Sequence, residues 1–206
     1  LRAASNRLDG IPAILAQTGR DCQLPALGAW LRRTPIREAL TLLEQEGFVR
    51  TIPRRGIYVI RKSKKEIIET IITWAALESM AARLAAQKAA DEQIEVLSDL
   101  FEDFNETPLS GDLDDYSEAN IKFHQAIIKL GGCDPIVEMT QNLFIRIRAI
   151  RAVSLRQDNR AARSIAEHGR IIEALLSRDA DLAERLVRKH TLGLAAHVEK
   201  HCAFAE

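Results

Sequence analysis

Apolar positions follow one rhythm up to about residue 62 and another beyond it. Within 34–47, Ile36, Ala39, Leu40, Leu42 and Leu43 recur at helical spacing. Thr34 suits the N-cap, Pro35 the first helical position, and Gly47 the residue just past the helix end. Two β-branched and aromatic runs follow, Phe48–Ile52 and Ile57–Ile60, around the turn Pro53-Arg54-Arg55-Gly56, and this pattern predicts a hairpin. From Ser63 onward strand signals vanish. Ile67, Ile71, Trp74, Leu77, Ala81 and Leu84 form one stripe along a helix over 64–90. Asp91 suits the N-cap of a helix reaching about Phe104, and a loop with Pro108 and Gly111 comes next. Further helices are predicted over 113–130 (closed by Gly131-Gly132), 135–155, 161–176 and 179–202. The short connections imply an antiparallel all-α bundle of about six helices. The chain is thus expected to be mainly α, with one hairpin near its start.

Composition narrows the class. Of 206 residues 47 % are hydrophobic and 28 % charged, which excludes a disordered chain because the apolar surface can offset chain entropy. No run of ~18 apolar residues is present, so a membrane span is excluded. The 29 basic and 29 acidic residues cancel to a formal charge of zero. That neutrality is a sum of opposites. Residues 1–62 hold 11 basic against 5 acidic side chains, and residues 63–206 hold 18 against 24, giving +6 and −6. A basic domain over 1–62 and an acidic one over 63–206 are therefore expected, with residues 1–31 divergent or incomplete. Cys22, Cys133 and Cys202 show no paired metal spacing, and the segment beginning at Leu1 has neither an initiating Met nor an apolar signal core. These features predict a reduced, cytoplasmic protein whose sequence begins after its true start.

A helix followed by a hairpin with two arginines at its tip suits duplex DNA. The helix enters the major groove while the tip reaches phosphates or the minor groove. Arg32, Arg33 and Arg37 crowd the helix N-terminal end, where backbone N–H groups also favour phosphate. The run Arg33-Thr34-Pro35-Ile36-Arg37-Glu38-Ala39-Leu40, with Leu43-Glu44, Glu46-Gly47 and Pro53-Arg54-Arg55-Gly56, resembles the winged helix-turn-helix of GntR-family bacterial transcription regulators. The resemblance covers residues 32–62. It implies DNA contacts from Arg33, Thr34 and Arg37 on the helix and from Gly56 on the wing. Arg32 stands where that family usually has Ser or Thr, and Arg55 is a phosphate candidate by position. Only seven residues separate Leu24-Pro25 from Arg33, a departure from the family's usual spacing.

In the second half the histidines carry the chemistry, because neutral imidazole is a common metal ligand. Asn120 and His124 stand four apart on one helix face, while His168 and His190 lie on two further helices. Three histidines on three helices can converge inside a bundle. On the residues alone, a lone helical histidine is more often an ordinary packed or surface residue. His197 and His201 form a competing i, i+4 pair, expected to be exposed. The segments Asn120-Ile-Lys-Phe-His124-Gln-Ala-Ile127, Glu167-His168 with Ile171, Ala174 and Asp179, and Val187-Arg188-Lys189-His190 resemble the ligand-binding domain of the FadR subfamily of GntR regulators. In many members one Asp and three His hold a divalent metal, and a small carboxylate effector completes the coordination. The resemblance implies a site of Asn120, His124, His168 and His190 for an ion of the Zn, Ni or Mn class. Asn120 replaces the usual Asp and so offers an uncharged oxygen, weakening the set. Trp74 stands where members of that subfamily often carry Arg, leaving Arg146, Arg148 and Arg151 as candidate anion partners, with Arg148 the expected effector contact.

Together these features predict a ligand-responsive transcription regulator. It would bind an operator in double-stranded DNA as a homodimer, sense a small carboxylate, and catalyse nothing. The alternatives are a helical-bundle metalloenzyme and a metal-binding interaction protein. No general base, nucleophile or second carboxylate stands beside the histidines in the sequence, which argues against the enzyme.

Overall fold

The computed structural model describes residues 33–45, 47–60, 62–101, 104, 113–155 and 160–201; for some, including 33–37 and 148, the backbone alone is described. Packing separates two compact units, one ending at Ser63 and the other spanning Lys64–Phe204.

In the first unit, helix α1 (Arg33–Gln45) leads into strands β1 (Val49–Ile52) and β2 (Gly56–Val59). Gly47, at φ 73°, ends α1 by letting its N–H reach Glu44 O at 3.0 Å while Phe48 N–H reaches Leu43 O at 2.9 Å. Those paired bonds satisfy two carbonyls that a helix end otherwise leaves open. Glu44 then ties helix to sheet, accepting from Thr51 N at 2.6 Å and Thr51 Oγ1 at 3.1 Å. The strands pair antiparallel with Val49 opposite Val59 and Ile52 opposite Gly56. The hairpin loop is therefore Pro53-Arg54-Arg55, and Gly56 belongs to β2 rather than to the predicted turn. Arg54 itself takes the left-handed turn conformation at φ 63°. Phe48 and the facing strand residues Val49 and Val59 are buried.

The second unit is a bundle of six described helices: α2 (Lys64–Lys88), α3 (Asp91–Asp99), α4 (Leu113–Leu130), α5 (Asp134–Ser154), α6 (Arg160–Leu176) and α7 (Ala180–His201). No helix among the described residues is long and apolar enough to cross a membrane. The predicted boundaries hold to within two residues for all but α3. That helix is capped by Ala90, whose N–H donates to Gln93 Oε1 at 3.0 Å, and it ends at Asp99, short of Phe104. Asp91 instead occupies the first turn and pairs with Arg178, whose Nη1 also reaches Ala89 O at 2.6 Å at the end of α2.

Helix α2 is the spine, packing most extensively along α7 and also on α4 and α5. Its buried face is lined by Ala75, Ala81, Ala82, Ala85 and Ala86, small side chains that admit neighbours closely. One core cluster gathers Ile94, Leu97, Tyr116, Phe123, Ile171 and Leu175, and a second gathers Ile71, Trp74, Ile147 and Val198. Leu77 and Leu84, predicted for the stripe, are only partly buried against the second.

Two glycines separate steric from conformational demands. A Cβ on Gly131 would stand 2.8 Å from Ala81 O. Gly131→Ala is therefore expected to cost ~1–3 kcal/mol by overpacking against backbone that cannot yield. Gly169, inside α6, meets nothing within 4 Å, so Gly169→Ala should stabilise by ~0.5–1 kcal/mol. Urea unfolding of the two variants checks both signs.

Candidate metal and effector centre

Five helices send polar side chains into the bundle interior. Glu78 comes from α2, Asn120 and His124 from α4, Arg151 from α5, Ser164 and His168 from α6, and His190 and Thr191 from α7; all are buried. Their helices are amphipathic, so these residues lie on the faces that packing turns inward.

Each buried polar group is oriented by the next. Glu78 Oε2 accepts from Trp74 Nε1 at 2.7 Å and from Thr191 Oγ1 at 2.9 Å, while Glu78 Oε1 takes the Nδ1–H of His124. That tautomer turns the Nε2 lone pair of His124 toward Arg151 Nη1, which donates to it and also to Asn120 Oδ1 at 2.7 Å. Asn120 Nδ2 donates in turn to Ser164 Oγ at 3.4 Å. On the opposite side, His190 gives its Nδ1–H to Glu167 Oε2 at 2.6 Å, leaving its Nε2 3.3 Å from His168 Nε2. Phe101 stacks on the His168 ring at a centroid distance of 4.7 Å.

The electrostatics follow from this arrangement. Burial would raise the Glu78 carboxyl, but His124, Arg151 and Thr191 outweigh it and hold the pKa down at about 2. Burial, reinforced by Arg151, lowers His124 to about 3. His168 is driven well below its ordinary value by burial and the neighbouring His190 and His124. Burial also lowers His190, against the pull of Glu167. All three imidazoles are therefore neutral at pH 7, the form in which imidazole ligates metals. Burial takes the Arg151 guanidinium down to about 10, still a cation at neutral pH.

His124, His168 and His190 bring one ligand atom each within 4.8 Å of one another. The 3.3 Å between the Nε2 atoms of His168 and His190 matches the spacing of two nitrogens on a tetrahedral ion with bonds of ~2.0–2.1 Å. Carboxylates on the Nδ1 atoms of His124 and His190 add the backing that orients metal-ligating imidazoles. The triad could hold a metal ion. Asn120 reaches the same centre, but its Oδ1 faces Arg151.

Other predicted residues separate from this centre. His197 is buried and His201 exposed, their rings stacked at 4.7 Å, which corrects the expectation of an exposed pair: His197 shares the inward face of α7 with Leu194 and Val198, both buried. Of the three candidate arginines Arg151 points inward; the side chain of Arg148 lies outside the described residues. Arg33, Thr34 and Arg37 lie in α1 with only their backbone described, Arg32 lies outside the described residues, and Arg55 and Gly56 are exposed on the hairpin. Sequence reasoning missed Glu78 and Glu167, the carboxylates beside the triad. Glu167 adjoins His168 in sequence yet serves His190 on the next helix, and a lone Glu78 among alanines carries no motif.

The fold and the buried triad define a class: a helix-and-hairpin unit followed by an all-α bundle with three histidines converging in its interior. The family profile described as FCD domain matches residues 70–193, and the chain belongs to that family, as a GntR-family transcriptional regulator. It is 26 % identical over 168 residues to the HTH-type transcriptional repressor RspR of Escherichia coli (strain K12), covering 82 % of this chain and 74 % of that protein. It is 28 % identical over 166 residues to the HTH-type transcriptional repressor GlaR of the same strain, covering 77 % and 76 %. Among solved structures, E. coli McbR/YncC superposes with a TM-score of 0.76 at 19 % identity, covering 98 % of this chain and 100 % of that one. A putative transcriptional regulator GntR from Rhodococcus sp. RHA1 gives 0.74 at 19 % identity, covering 97 % of each. The curated relatives are transcriptional regulators, and this chain is a regulator rather than an enzyme. DNA binding follows from that class.

Proposed function

We propose that this regulator reads DNA through residues 1–62 and senses a small carboxylate through residues 63–206, working as a cytoplasmic homodimer. Arg33, Thr34 and Arg37 of α1, with Arg32 before them, face the operator, and Arg55 and Gly56 approach it from the hairpin. His124, His168 and His190 hold a divalent ion of the Zn, Ni or Mn class, with Asn120 as a weaker oxygen donor. Such an ion, when bound, offers an open coordination position to an anionic oxygen. Glu78 and Glu167 fix the ring orientations of His124 and His190, burial keeps the imidazoles neutral, and the ion would replace Arg151 Nη1 as the partner of His124 Nε2. One observation carries this reading: three buried imidazoles from three helices converge, two of them backed by carboxylates.

The DNA half is tested by fluorescence anisotropy on a labelled duplex across a salt series. The logarithm of the wild-type binding constant should fall linearly with log salt concentration, and Arg37→Ala should weaken binding by ~10–100-fold while flattening that slope by ~1. An Arg37→Ala protein with unchanged affinity and slope contradicts the assignment.

A further inference from the structure

Glu44 stands where an acid is disfavoured twice over. It lies in the last turn of α1, beside the negative end of the helix dipole. It also belongs to residues 1–62, where 11 basic side chains outnumber 5 acidic ones and the expected partner is a polyanion. Glu44 is exposed, so burial does not account for it. What its carboxylate does is hold the hairpin. Oε1 accepts from Thr51 N–H at 2.6 Å and Oε2 from Thr51 Oγ1 at 3.1 Å, so both oxygens close on one residue of β1.

Thr51 is well placed to be gripped. Phe48 O accepts from Ile60 N–H and Ile52 O from Arg55 N–H, so residues 48, 50 and 52 turn their backbone groups to the partner strand. Thr51 N–H therefore points away from β2, and Glu44 takes it. Toward the tip, the Tyr58 hydroxyl donates to Arg55 O at 3.2 Å. A two-stranded hairpin is marginal by itself. Here it is anchored to α1 through Thr51 and braced at the tip by Tyr58.

We infer that Glu44 is a positioning residue for DNA recognition: through the two Thr51 donors it locks the hairpin to α1, so that helix and hairpin tip meet the duplex as one preformed surface. This rests on reading α1 and the hairpin as the DNA-contacting elements. A hairpin able to swing would lose that freedom on binding, and the loss would subtract from its arginine contacts. With Glu44 in place the hairpin is ordered beforehand, and helix and hairpin contacts reinforce each other. Repulsion between Glu44 and phosphates is the smaller effect, because exposed charges are screened over a Debye length of ~10 Å at 0.1 M salt.

The test uses the full chain and a short fluorescein-labelled duplex enriched on the wild type from a random-sequence pool, with binding read by anisotropy. Glu44→Ala removes both acceptors, while the higher helix propensity of alanine keeps α1 formed. It should weaken binding by ~5–10-fold, the range expected for lost hydrogen bonds. Electrostatics alone predicts the reverse, since losing a negative charge near phosphates tightens binding. Thr51→Val keeps the charge, the backbone donor and the strand propensity, and should weaken binding by ~2–3-fold. A double-mutant cycle separates positioning from general damage: Arg55→Ala should cost ~3-fold less in the Glu44→Ala background than in the wild type. Glu44→Ala protein that binds as tightly as wild type or tighter, or an Arg55→Ala cost equal in both backgrounds, would overturn the inference. Should Glu44→Ala fail to fold, the same cycle between Thr51→Val and Arg55→Ala decides it. Arg37→Ala is measured alongside. If Arg37→Ala and Arg55→Ala both bind like wild type, the DNA reading of these elements fails and takes the clasp with it. If both lose affinity and either overturning result appears, the clasp alone is wrong.

Discussion

Glu78→Gln is expected to destabilise the bundle by ~3–5 kcal/mol, a large part of the ~5–15 kcal/mol that holds a typical domain together. The substitution keeps the volume and removes the charge. Glu78 accepts from Trp74, His124 and Thr191, and its charge is the counterweight to the buried Arg151 guanidinium across His124. A glutamine can accept on one oxygen only and presents its NH2 to a neighbour that needs an acceptor. The guanidinium is then a buried cation without compensation, the costliest of the available defects. Urea denaturation followed by circular dichroism reads the loss as a lower midpoint. A Glu78→Gln midpoint within the error of wild type would mean that the network does not carry the bundle's stability.

Acid should unfold the metal-stripped protein unusually early. The pKa of His124 falls to about 3, and His168 and His190 are lowered as well, against ~6.5 in an unfolded chain. A group whose folded pKa is depressed binds its proton more readily when unfolded. Stability is therefore complete above about pH 6.5 and is lost as pH falls below it. His124 alone, at about 3, gives a limiting slope of ~1.4 kcal/mol per pH unit, and the lowered His168 and His190 steepen it. Glu78, depressed from its ordinary value to about 2, adds loss in the same direction, between about pH 4.5 and 2. Tm should be nearly flat from pH 8 to 7 and fall steeply below 6. A profile flat down to pH 5 would contradict neutral buried imidazoles.

Much of the fold was legible because its elements are marked locally. Gly47 closes α1 through a left-handed backbone turn that a reader can anticipate, and Gly131-Gly132 closes α4 in the same way. The α3 boundaries were less accessible: Asp91 looks like a cap, but Gln93 reaching back to Ala90 moves the helix start by one residue. The site was half legible. His124, His168 and His190 fall on helix faces that must turn inward, so their meeting follows once the helices are packed. Glu78 and Glu167 were missed, and Arg151 was legible only as one of three candidate anion partners, because their partners lie 46, 23 and 27 residues away in sequence. Only the packing of α2 on α4 and α7, of α5 on α4, and of α6 on α7 brings these pairs together. His197 shows the converse: spacing identifies its pairing with His201, while burial depends on which face α7 offers the core.

The central claim is that the buried triad is a metal site, and metal content per chain tests it most directly. Wild-type protein loaded with Zn, Ni or Mn and dialysed free of excess should retain about one ion per chain by elemental analysis, as one site of three neutral imidazoles implies. The His168→Ala/His190→Ala double variant, confirmed folded by circular dichroism, should retain none. Wild-type protein that keeps no ion under these conditions, or a double variant that keeps as much as wild type, would contradict the account.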